Sequence, residues 1–112
     1  AIFESTVARQ IASGTLPSAG TLLRVSADGI PGLNRIDTKT TTWAIQIKHR
    51  TAVGNFGLGD LSNSVPGLQY LDEMIEQTPA GLATELVTNK QITHDLEVAL
   101  QDRSIIWVQL PD

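Results

Sequence analysis

Residues 41–50 read Thr41-Thr42-Trp43-Ala44-Ile45-Gln46-Ile47-Lys48-His49-Arg50. Trp43, Ile45 and Ile47 alternate with Thr42, Ala44, Gln46 and Lys48. Period two with β-branched and aromatic residues predicts a half-buried antiparallel strand, apolar toward the core and polar toward solvent. Lys48 and Arg50 fall on the polar side, so that face ends in cations. Thr21–Ala27, bounded by Gly20 and by Asp28-Gly29, reads as a second strand with Arg24 and Ser26 on its polar side. Leu33–Thr38 reads as a short third strand. The first half of the chain is thus expected to form a small antiparallel sheet.

Working outward, residues 2–12 place Phe3, Val7 and Ile11 four apart, one stripe of a helix. Thr6 and Val7 are β-branched, which leaves an extended arm as the rival reading. Val53–Gly67 interrupts regular structure with Gly54, Gly57 and Gly59, a long loop of the kind that contacts partners. A helix capped by Asn63 or Ser64 follows, with Pro66 in its first turn and Leu68, Leu71 and Ile75 as its stripe. Thr78-Pro79 predicts a second helix that turns Leu82, Leu86 and Val87 inward and closes at Asn89. Thr93 starts a third, with Ile92 outside it as a staple and Leu96, Ala99 and Leu100 inward. Ser104–Leu110 is an apolar run, a strand covered on both faces or sealed by a partner chain. The expected architecture is α+β: residues 1–112 as one domain, an antiparallel sheet with amphipathic helices packed on one face, residues 1–14 as N-terminal helix or arm, and 53–67 as Gly-rich loop.

The charge balance is uneven. Residues 1–50 carry a net +3 and residues 51–112 a net −7, giving −4 over the 112 residues. Such asymmetry suits an anionic partner for the first half. The absence of cysteine excludes a disulfide scaffold, a thiolate zinc site and a thiol nucleophile. No apolar run approaches the ~18 residues of a membrane span, and the opening residues do not read as a secretory leader. The expected location is a virion or the cytoplasm.

Among candidate sites, His49 and His94 have no ligand partners at metal-binding spacing and read as exposed. Gly54–Asp60 lacks the Gly-Lys-Ser/Thr ending of a phosphate loop and reads instead as an assembly loop, Phe56 and Leu58 docking on a neighbouring subunit, with packing inside the chain as the rival reading. Asp72, Glu73 and Glu76 read as a solvated helix face. Arg24, Lys48 and Arg50, with Arg35 and Lys39 adjoining, form a modestly basic sheet face suited to phosphates of a nucleic acid. Trp43 falls on the opposite side by parity, so base stacking is not expected there. Ile105, Ile106, Trp107 and Val108 are the further candidates for an assembly interface. No titratable groups converge in sequence, so neither catalysis nor a cofactor nor a metal is expected.

The layout is similar to that of small bacteriophage virion proteins: a cysteine-free chain with an N-terminal arm, a basic sheet, a Gly-rich loop and acidic helices. In single-stranded RNA phage coat proteins, strands precede two C-terminal helices, and the dimer's sheet faces the RNA. Ile105–Leu110 departs from that pattern, because there the chain ends in a helix. The resemblance implies a self-assembling structural subunit, coat- or tail-like, whose partners are further copies of itself and an RNA, and no membrane. The alternative is an intracellular binding or regulatory module without catalysis.

Overall fold

A computed structural model describes residues 3, 6, 7, 9, 10, 22–25, 38–40 and 43–110, and of Leu22–Val25, Thr38–Thr40 and Trp43 it describes the backbone alone. Phe3, Thr6, Val7, Arg9 and Gln10 are helical. Then come β1 (Leu22–Val25), β2 (Thr38–Thr40), β3 (Trp43–Lys48), a short 3-10 turn (Leu58–Asp60), α1 (Gly67–Glu76), β4 (Ala83–Thr88), α2 (His94–Asp102) and β5 (Ile106–Gln109). The five strands form one sheet in the order β1-β2-β3-β4-β5.

The expected antiparallel sheet is corrected. β1, β2 and β3 are antiparallel neighbours, but β3, β4 and β5 run parallel. Parallel neighbours need a crossover that returns the chain to the starting end, and α1 and α2 are those crossovers. The chain steps sideways in one direction from β3 to β4 to β5. Crossovers of the usual right hand then lie on the same sheet face. Tyr70, Leu71 and Met74 of α1 accordingly join Leu96, Ala99 and Leu100 of α2, Leu86 of β4, Phe56, Leu61, Ile92 and Ile105 in one buried cluster.

The other face is not left to solvent. Val7 packs there with Ile45, Ile47 and Val87, and Phe3, Val108 and Leu110 border them. Helical residues therefore cover both faces, against the expected one. This is why β3 is buried through both sides: Ala44 and Gln46 are buried as fully as Ile45 and Ile47. The alternation in 41–50 is real, yet its polar half faces α1 and not water. Ile45 and Ile47 do share one buried face; the Trp43 side chain falls outside the described residues, as does most of the Leu33–Thr38 segment.

The predicted helix over 78–89 is β4. Thr84, Val87 and Thr88 are β-branched, and a strand with neighbours on both edges buries both of its faces. The α1 end is tied to it by Thr78, whose hydroxyl donates to the Met74 carbonyl at 2.8 Å and bonds the Thr84 hydroxyl at 2.8 Å. The α1 stripe is also rotated from the predicted one, with Tyr70, Leu71 and Met74 inward and Leu68 and Ile75 exposed. Gly67 allows α1 to start against the 3-10 turn, because a Cβ there would stand 2.5 Å from the Leu58 carbonyl oxygen. Thr93 precedes α2 as predicted, and Ile92 is buried beside it.

Candidate functional site

The site grows from the polar half of β3. Strand alternation puts Ala44, Gln46 and Lys48 on one face. Gln46 is the register partner of Leu86, whose side chain belongs to the cluster under the helices. Gln46 is only 5% exposed, and its Oε1 is buried with no hydrogen-bond partner among the described residues. A buried amide oxygen without a donor costs about 1–3 kcal/mol, so stability does not explain it. Two residues on, Lys48 emerges at the strand end with Nζ 4.9 Å from the centre of the buried Tyr70 ring. That contact steers the ammonium along α1 at the carboxyl end of β3.

The sheet continues past this point. Arg24 of β1 is the register partner of Lys39 of β2, Lys39 of Ala44, and Ala44 of Thr84. Two basic positions thus share a cross-strand row with the β3 face that carries Gln46 and Lys48. Arg24 and Lys39 are placed by backbone register alone, and Arg35 lies outside the described residues.

Arg50 is used differently. Its backbone N–H donates to Asn89 Oδ1 at 2.8 Å, and Asn89 Nδ2 donates to the Arg50 carbonyl at 2.8 Å, clipping the ends of β3 and β4 together. Its guanidinium turns into the following loop, where Nη1 pairs with Asp60 and Nη2 donates to the Val53 carbonyl at 2.9 Å. Asp60 Oδ2 accepts from Gly57 N–H at 2.8 Å. Arg50 is therefore a fastener for the Gly-rich loop. This removes it from the expected phosphate-binding trio in its present conformation.

The loop itself is packed inward. Phe56 forms a parallel bridge with Ile92, with its N–H on the Gln91 carbonyl (2.8 Å) and its carbonyl accepting from Thr93 N–H (2.9 Å). Its ring is fully buried in the chain's own core, so it offers no surface to a neighbouring subunit; Leu58 packs against the same cluster half-buried. The assembly reading of Phe56 is corrected on that ground. Ile105 is likewise buried, whereas Ile106 is 44% exposed, and Trp107 and Val108 pack half-buried on opposite sheet faces. The cover that the sequence assigned to a second subunit comes largely from this chain's own helical residues.

His49 and His94 are both exposed, His49 with its ring 5.0 Å from that of Phe3. Asp72 pairs with Arg103 at 2.8 Å, and Gln69 Nε2 donates to Glu73 at 3.3 Å. Among the described residues, no group of three His, Cys, Asp or Glu is placed to hold a metal ion, and no helix is long and apolar enough to cross a membrane. Three residues of the region were not among the site residues read from the sequence: Gln46, Asn89 and the fully buried Glu85, mid-β4 on the face of Ile45. The signals were a lone amide between two isoleucines and a lone acid inside an apolar run. Comparison with protein-family models, characterised proteins and solved structures finds no match for this chain.

Proposed function

We propose that this domain binds nucleic acid, with a phosphate held by Lys48 where the end of β3 emerges beside α1. The observation that carries the reading is Lys48, which emerges from the buried β3 face at the carboxyl end of β3 beside the Tyr70 ring. Lys48 supplies the charge for a phosphate oxygen, and Arg24 and Lys39 are basic register positions at the level of Ala44, four residues back along β3. The net +3 of residues 1–50 agrees in sign. The observed order, with β4 between α1 and α2, differs from the coat-like layout of strands followed by two helices.

Fluorescence anisotropy with labelled single- and double-stranded oligonucleotides, at several salt concentrations, tests this. Lys48→Ala is expected to weaken binding and to lower the salt slope by about one. Absence of binding at low salt, or a Lys48→Ala slope equal to that of the parent chain, refutes it.

A further inference from the structure

We propose that a second copy of this chain pairs with the outer edge of β5, antiparallel, about a two-fold axis centred on Val108. Among the described residues β5 ends the sheet and has β4 on one side only. Leu110 N–H donates to the Thr88 carbonyl at 2.8 Å, and Thr88 is the register partner of Gln109. In a parallel ladder, that geometry points the backbone groups of Val108 and Leu110 at β4, and alternation then points those of Trp107 and Gln109 outward. The free edge thus presents two residues' worth of donors and acceptors.

The occupant follows from charge and symmetry. Ile106-Trp107-Val108-Gln109 has no charge, proline or inward kink, the devices that keep exposed edges apart, whereas β1 at the opposite edge contains Arg24. An antiparallel pairing of β5 with itself sets no like charges together and is closed by a two-fold axis. An axis normal to the sheet keeps the two faces continuous, so directly opposed residues must share parity. The register that uses the outward groups is centred on Val108. Trp107 and Gln109 of one copy then exchange both backbone hydrogen bonds with Gln109 and Trp107 of the other. Val108 meets Val108 of the second copy as a non-hydrogen-bonded pair, with Cα atoms ~4.5 Å apart. The half-exposed Ile106 falls opposite Leu110 of the second copy, which covers it. The open apolar groove along this edge, lined by Gln101, Ser104, Ile105, Ile106 and Trp107, runs beside the same seam.

The chain has no cysteine, which makes cross-linking specific. Val108→Cys under mild oxidation is expected to give a disulfide-linked dimer at least about fivefold more abundant than Val53→Cys, a control on an exposed loop. Gln109→Pro removes an outward N–H without touching a β4 hydrogen bond, and is expected to leave the circular dichroism spectrum unchanged while abolishing dimer in sedimentation velocity. The parent chain, freed of nucleic acid at high salt, should shift from monomer to dimer over about a hundredfold concentration range. A monomer throughout, growth beyond dimer, or cross-linking at Val108 no greater than at Val53 overturns the proposal; the cross-link decides if the proline variant fails to fold.

Discussion

Phe56→Ala separates a loop that packs within the chain from a loop that docks elsewhere. The ring is fully buried among Leu61, Leu71, Leu96 and their neighbours, so its removal strips apolar area and leaves a cavity. A buried phenylalanine contributes roughly 150–250 Å² of burial, worth ~4–6 kcal/mol at 25 cal/mol per Å², and Phe→Ala replacements in cores cost ~3–5 kcal/mol. The backbone bonds of Phe56 to Gln91 and Thr93 do not depend on the side chain, so the loss is one of packing. Against a total stability of about 5–15 kcal/mol, this is roughly a fifth or more, and it should lower Tm by roughly 10–20 °C. Urea unfolding followed by tryptophan fluorescence, at a concentration where the chain is monomeric, measures it. Leu58→Ala, at a half-buried position, should cost clearly less. A Phe56→Ala chain that unfolds within about 1 kcal/mol of the parent as a monomer would refute the inward packing of the loop.

Three further outcomes follow from the same structure. Asn89→Ala leaves the Arg50 N–H and carbonyl without their partner, so it should cost about 1–3 kcal/mol in the same urea assay and raise proteolytic nicking within residues 51–61. Gln46→Leu removes an unpartnered buried oxygen while keeping apolar volume; it should leave stability unchanged or raise it by about 1 kcal/mol in the same urea assay, whereas a stability loss would show that the amide is structural. At the start of α2, the Thr93 hydroxyl and the Leu96 N–H donate to the Asp95 carboxylate and hold its pKa below the ordinary value. A depressed folded-state pKa means this support is complete above the unfolded value and is lost as pH falls through the folded one. The parent chain should therefore lose more stability than Asp95→Asn between about pH 5 and pH 2, measured by thermal denaturation across that range.

Local pattern alone determined a good part of this protein. The alternation in 41–50 marked β3, Thr93 with Ile92 marked the start of α2, and the apolar run at 105–110 marked β5, because each depends on a few neighbouring side chains. The shared face of Ile45 and Ile47 was also legible, since parity along a strand is a local property. Strand direction was not. Parallel or antiparallel pairing is decided by where the crossover returns the chain, and Leu82, Leu86 and Val87 fit a helical stripe as readily as a strand buried on both faces. Burial of the polar half of β3 likewise required knowing that α1 lies over it, and the fate of Arg50 and Phe56 depended on a loop folding back on Asn89 and Ile92, some forty residues downstream for Arg50. Those are contacts between distant segments, set by the closing of the core and by no pattern within reach of either residue.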